Sequence, residues 1–268
     1  MGCLCAFLAP DLPRNFPTES PEVLPADLGA AVADSLAYNR ILVAIGRYSL
    51  VTLTPTTVSL HRLVQAVIQA QLDQETERAW AEVAVNLVAA RFPNDSWETT
   101  TWAACERLLP QLLAVTAHAE RLGAAGEAAG WLLDRASTSL RGRGQYRQAK
   151  PLAERAVTMT ESALGPDNPE VAWRRDVLGR VLQDLGDLAG ARTQHERALQ
   201  ISEAALGPDH PTIGALRNNL GRVLQALGDP AGARTQFELA LQISEAALGP
   251  DHPNVRTIRD NLQGMGKS

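Results

Sequence analysis

The sequence predicts a mainly α-helical chain whose C-terminal half is a solenoid of helix pairs. Three observations carry this. The hexapeptide LGPDHP stands at Leu206–Pro211 and again at Leu248–Pro253, with LGPDNP at Leu164–Pro169, a spacing of 42 residues each time. The segments before the hexapeptides share that register: Gly186–Pro211 matches Gly228–Pro253 at nearly every position, and Gly144–Pro169 is a looser copy. Apolar residues within each copy follow a helical rhythm, in a chain dominated by the strong helix formers alanine and leucine. Repetition at a fixed period of this size means supersecondary units that bury their apolar faces on one another.

The N-terminal half is different material. Prolines at 10, 13, 17, 21 and 25 mark an extended segment. Asp27–Ala33 and Ser35–Gly46 read as short helices. Tyr48–His61 reads as the only β-hairpin, two β-branched runs around Thr54–Thr57. His61–Leu72 returns to helix, so helices, hairpin and helix stand in a winged-helix order. Two longer helices follow as an arm. Glu75–Phe92 carries the buried stripe Trp80, Val83, Leu87, Val88 and Phe92. Trp97–Leu122 begins at a cap formed by Asp95 and Glu98. The expected domains are therefore a winged-helix-like domain at 1–72, a helical arm at 73–123 and repeats at 124–268.

Each repeat reads as two helices. In the last complete copy Ile213, Leu216, Leu220, Val223, Leu224 and Leu227 stripe the first helix. Ala233, Phe237, Ala240, Leu241 and Leu248 stripe the second. Gly-Asp at Gly186–Asp187 and Gly228–Asp229 turns between them. The hexapeptide separates one repeat from the next. Gly165, Gly207 and Gly249 end a helix with positive φ. Asp167, Asp209 and Asp251 suit an N-cap, with proline in the first turn behind them, and Glu170 completes a capping-box spacing with Asp167. His210 and His252 have no partner ligands in the pattern, so a capping or solvated role is expected rather than metal binding. Pro253–Met265 forms a lone first helix that caps the stack. The closing Gly-Lys-Ser lacks the second glycine and the following helix of a phosphate loop.

Leu-Gly-x-x-Leu at Leu178–Leu182 and Leu220–Leu224, with Ala-x-x-x-Phe at Ala233–Phe237 and Ala240 beyond, resembles the tetratricopeptide repeat. The 42-residue period, longer than the usual ~34, is similar to the kinesin-light-chain type. The resemblance covers residues 125–268. His195 and Ala153 replace the phenylalanine, Arg175 and Arg217 stand where the pattern has tryptophan, and Ala136-Ser137 replaces Leu-Gly. It implies a concave groove lined by the first helix of each pair and occupied by a peptide or protein segment. Its expected lining is Trp173, Asp176, Arg180 and Gln183, then Ala215, Asn218, Arg222 and Gln225. Asn219 and Asn261 fall at groove asparagines that in the family hold a peptide's main chain. Asn suits that task because it offers both donor and acceptor. Arg180 and Arg222 favour carboxylates.

In the first half, CAFLAPD, YSLV and LHRLVQAVI resemble the winged helix and arm of NB-ARC-type signal-transduction ATPases of the STAND class, over residues 3–123. That resemblance implies a sensor or scaffold part of such an ATPase, with the nucleotide-binding core absent from this sequence. In that family a histidine after the wing touches the nucleotide phosphate. His61 matches that position, beside Arg62 where several relatives carry aspartate. The residues alone assign His61 a structural place at the hairpin end, and the two readings stay open. The alternatives to an interaction module are a nucleotide-dependent switch served by an ATPase core on another chain, and a winged-helix DNA-binding regulator.

Composition bounds these readings. The formal net charge is −5. Residues 1–123 hold 8 basic and 13 acidic side chains and residues 124–268 hold 17 of each, so the first half supplies the whole imbalance. Arg40, Arg47 and Arg62 are too few for the ~6–10 phosphate contacts of a DNA-binding surface. Cys3, Cys5 and Cys105 make neither a disulfide framework nor a zinc set and fit a reducing, cytoplasmic setting. Leu4–Ala9 is too short for a secretory signal, and no apolar run is long enough to span a membrane. No nucleophile motif, metal motif or cofactor loop occurs, so neither catalysis nor a cofactor is expected. The expected partner is a protein or peptide, with an NB-ARC-type core as a further candidate, and with no membrane or nucleic acid.

Overall fold

The computed structural model describes residues 1–47 and 51–265. The chain divides into two compact units, Met1–Ser139 and Leu140–Ser268. The first opens with helix α1 (Gly2–Ala6). Leu4, Phe7 and Leu8 are buried in the unit's core, and the Phe7 ring meets His118 edge to face at 5.2 Å. Burial pushes the Cys5 thiol up to about 11, so it stays protonated and unreactive.

The expected hairpin is part of a three-stranded sheet. Strand β1 (Asp11–Pro13), from the proline-marked segment, pairs antiparallel with β3 (Thr57–Leu60), which pairs on its other side with β2 (Val51–Leu53). Tyr48–Leu50, the start of the expected hairpin, lie outside the described residues. Prolines hid β1 from the sequence reading, and an edge strand tolerates them because only one side of its backbone must pair. Between β1 and β2 come α2 (Ala26–Ala33) and α3 (Ser35–Gly46), the latter capped by Asp34. After it comes α4 (Arg62–Ala70), whose polar side faces inward: Gln65 Nε2 donates to the carbonyls of Cys5 and Leu8 at 2.8 Å, and Gln69 Nε2 to Ala6. These bonds satisfy carbonyls at the end of α1.

The arm is α5 (Gln74–Ala89) packed on α6 (Trp102–Leu122). The second of these starts five residues later than expected. Asp95 and Glu98 do not cap it; their carbonyls accept from the Thr101 hydroxyl at 2.8 and 2.9 Å, closing a turn ahead of a short 3-10 stretch, Thr99–Thr101. Three consecutive threonines stiffen that stretch and let their hydroxyls compete for backbone partners. Among the described residues no single helix is long and apolar enough to cross a membrane.

Helix α7 (Gly126–Gly142), in which the division between the units falls, is followed by α8 (Tyr146–Leu164), α9 (Pro169–Leu185), α10 (Leu188–Leu206), α11 (Pro211–Ala226), α12 (Pro230–Leu248) and α13 (Pro253–Gly264). From α8 onward each helix packs on the next. Ala198, Ile201, Ile213, Leu216, Leu220 and Phe237 form the centre of one continuous core. The Leu-Gly anchors make close packing possible. A Cβ on Gly221 would lie 2.7 Å from the Phe237 ring, and one on Gly179 would lie 2.7 Å from the His195 ring.

The boundary hexapeptide behaves as a stop and a start, with one correction. Gly165, Gly207 and Gly249 have φ of 88°, 83° and 84° with extended ψ, a combination that only glycine adopts readily. The N-cap, however, is the residue after the aspartate. Asn168 Oδ1 accepts from Glu170 N at 2.9 Å, while His210 Nδ1 and His252 Nδ1 accept from Thr212 N and Asn254 N at 3.3 and 3.2 Å. Proline at the first helical position sets this register, because the cap must directly precede it. Asp167, freed from capping, instead pairs with Arg197 at 2.7 Å. Of the closing Gly-Met-Gly-Lys-Ser, residues 266–268 lie outside the described residues.

Candidate partner-binding groove

Helices α9, α11 and α13, the first members of successive pairs, lie side by side on one face of the second unit. Two side-chain hydrogen bonds stitch them together. Asn219 Nδ2 donates to Asp176 Oδ1 at 3.0 Å, and Asn261 Nδ2 donates to Asn218 Oδ1 at 2.9 Å. Donor and acceptor are 43 residues apart in both cases, so the ladder is itself a product of the repeat.

The expected groove residues divide by burial. Trp173 is exposed to 45%. Arg222 and Gln225 are exposed, and Arg180, Gln183, Asn218, Asn219 and Asn261 are half-buried. Asp176 departs from the expectation of exposure: it is 6% exposed. Its carboxylate sits 3.2 Å from Arg180 Nε and 3.0 Å from His195 Nδ1, in addition to the bond from Asn219. The His195 ring is completely buried and not aligned for a linear hydrogen bond, and its Nε2 has no partner among the described residues. Burial alone would raise the Asp176 carboxyl. The Arg180 charge, the His195 contact and the Asn219 bond together override it and hold the carboxyl well below the usual carboxylate range.

This cluster explains two sequence departures at once. Where one repeat has Asp176 and His195, the next has Asn218 and Phe237. A buried imidazole in the phenylalanine position needs a polar neighbour, and Asp176 supplies it. The exchange has an electrostatic consequence for the groove. Arg180 is neutralised by Asp176, whereas Asn218 stands at the equivalent place one repeat on, and Arg222 has no carboxylate partner among the described residues. The two arginines are equivalent in register and unequal in charge.

Arg175 and Arg217, which stand where the pattern has tryptophan, are structural. Arg175 bonds Glu161 on the helix before and Gln194 on the helix after. Arg217 bonds Glu203 at 2.5 Å and Gln236 at 2.9 Å, and Arg259 bonds Glu245 at 2.5 Å. Each thus clamps three, or at the end two, successive helices. Sequence reasoning missed this, although the repeated spacing of Glu, Arg and Gln was a visible signal. It also missed a pocket of about 180 Å³ at the α11–α13 end of this face, lined in part by Ala215, Asn218, Asn219 and Ser244. The signal there was the run of small residues Gly214–Ala215, where the preceding repeat carries Ala172–Trp173. In the first unit His61 serves as N-cap of α4, its Nδ1 accepting from Leu63 N at 3.2 Å.

The tetratricopeptide repeat profile matches residues 126–204, 176–241 and 212–262, about half of the chain. Among solved structures, a Podosopora anserina putative kinesin light chain with nearly identical TPR-like repeats is similar at 19% identity and TM-score 0.51, covering 73% of this chain and 87% of that one. BtubC (BKLC) from P. vanneervenii is similar at 16% identity and TM-score 0.51, covering 74% of this chain and 84% of that one. At these identities the likeness concerns the fold alone. No curated protein matches the sequence.

Proposed function

We propose that this chain, which belongs to the tetratricopeptide repeat family, is a non-catalytic protein-protein interaction module that holds an extended, acidic protein or peptide segment on the α9–α11–α13 face. The observation that carries this reading is the exposed Trp173 and Arg222, the latter unpaired among the described residues, on a face where Asp176 neutralises the equivalent Arg180. Arg222 attracts carboxylates without first breaking an internal ion pair, so it contributes more than Arg180. Asp176 acts from beneath as a positioning residue, while Gln183, Gln225 and the free atoms of Asn218, Asn219 and Asn261 meet the segment's main chain. A panel of matched unstructured peptides, acidic, neutral and basic, tests this by fluorescence anisotropy. Acidic members should bind best, Arg222→Ala should weaken them roughly three- to tenfold, and Arg180→Ala should do less. Equal binding of acidic and basic members, or an Arg180→Ala/Arg222→Ala double variant of unchanged affinity, overturns it.

Three further assignments belong to the same proposal: a winged-helix-like domain at 1–72, an arm at 73–123 and repeats at 124–268, working in the cytoplasm as the sensor part of a STAND-type ATPase. The order α2, α3, hairpin, α4 supports the first of these. The capping bond at His61 supports a structural role for that residue over a phosphate contact. Calorimetric titration with ADP and ATP should give no heat. Saturable heat abolished by His61→Ala would favour the nucleotide-switch reading instead.

A further inference from the structure

The pocket on the α11–α13 face exists for a definable reason. Where the preceding repeat fills this position with Trp173, this one has Ala215, and the following helix has Thr257. Gly214 lets α12 approach so closely that a Cβ there would meet the Ser244 hydroxyl at 2.3 Å. The result is a recess of about 180 Å³, smaller than the ~300 Å³ of the smallest drug-sized sites and suited to a single side chain. Ser244, only 2% exposed, forms part of its lining and has no hydrogen-bond partner among the described residues.

The walls have a specific chemistry. No charged residue lines the pocket, and Pro211 and Ile258 give it apolar sides. Its polar groups are amides and hydroxyls, from Asn218, Asn219, Asn254, Ser244 and Thr257. The ladder engages one atom of each central amide: Asn218 Oδ1 accepts from Asn261, and Asn219 Nδ2 donates to Asp176. The two atoms that the ladder leaves wholly unengaged are a donor, Asn218 Nδ2, and an acceptor, Asn219 Oδ1, on adjacent residues, with the Ser244 hydroxyl able to serve as either. A neighbouring donor and acceptor match a carboxamide, which presents one of each. They mismatch a carboxylate, which accepts only, and an ammonium, which donates only. Both ions would also lose solvation without gaining a counter-charge.

We propose that this pocket takes the carboxamide side chain of a glutamine or asparagine carried by the segment in the groove. This rests on the groove reading and adds a specificity position to it. The test uses N-acetyl-glutamine methylamide, with the glutamate and norleucine analogues as controls, titrated into the full chain and followed by NMR of the asparagine side-chain amides. The glutamine probe should shift the Asn218 and Asn219 signals with a dissociation constant on the order of millimolar, and the controls should bind roughly tenfold more weakly. Two variants copy arrangements that the preceding repeat already accommodates. Ala215→Trp fills the recess as Trp173 would, and Asn218→Asp keeps the acceptor for Asn261 while removing the free donor. Each should abolish the glutamine response. Equal binding of the glutamate probe, or a response that survives Ala215→Trp, overturns the proposal. If the glutamine probe is silent while Arg222-dependent peptide binding persists, the pocket assignment falls alone; if that binding is lost as well, the groove reading falls with it.

Discussion

At Asp176 a single carboxylate links core packing, inter-repeat register and groove charge. Its folded value is depressed, so the stability it contributes is present above the unfolded carboxylate value of ~3.9 and is lost as pH falls through the folded value. Asp176→Asn should cost about 1–3 kcal/mol at neutral pH, because Asn keeps the bond from Asn219 but leaves Arg180 and His195 without their anion. Urea unfolding at neutral pH and at acid pH checks this: the gap between wild type and variant should shrink progressively below about pH 4. A gap independent of pH would show that Asp176 is not the titrating group. Gly221 offers a purely steric counterpart. Alanine is favoured in helices by about 1 kcal/mol over glycine, yet its Cβ would press on the buried Phe237 ring, and overpacking costs typically 1–3 kcal/mol. Gly221→Ala should therefore lower the thermal midpoint, whereas Gly264→Ala, with open space around it, should leave it unchanged or raise it.

At the scale of elements, the arginine clamps decide how one helix pair meets the next. The Arg217 side chain is 17% exposed and its partner Glu203 33%, so solvent screens the pair only in part. Arg217→Ala should cost about 1–2 kcal/mol. Hydrogen exchange should speed up in α10, α11 and α12 together, since the side chain touches all three levels. Faster exchange confined to α11 would show the clamp to be local decoration. The same scale explains the caps. Proline at the start of α9, α11 and α13 compels the preceding residue to cap, which gives the histidine of the hexapeptide a helix-starting task.

For the whole molecule the informative quantity is charge. All of the net −5 lies in residues 1–123, and the exposed Arg40, Arg47 and Arg62 stand alone rather than in a basic stripe. Duplex DNA at physiological salt should therefore show no complex at micromolar protein in an electrophoretic shift assay. A complex whose affinity falls with salt as steeply as about six phosphate contacts require would restore the DNA-binding alternative.

Periodicity by itself determined the helix pairs, their order and the positive-φ glycines at their ends. A repeated spacing is a statement about local geometry and nearest neighbours, and a solenoid is built from little else. What only the tertiary structure decided depends on contacts between residues far apart in sequence. Strand β1 was invisible because its pairing partner lies more than forty residues away. The inequality of Arg180 and Arg222 emerged only when Asp176 proved to be buried against one of them. The pocket beside Asn218 and Asn219 required three helices to meet around a side chain, Ser244, that no motif marks. Local rules place the backbone; which polar atoms remain unpaired, and so free to bind, is settled by packing.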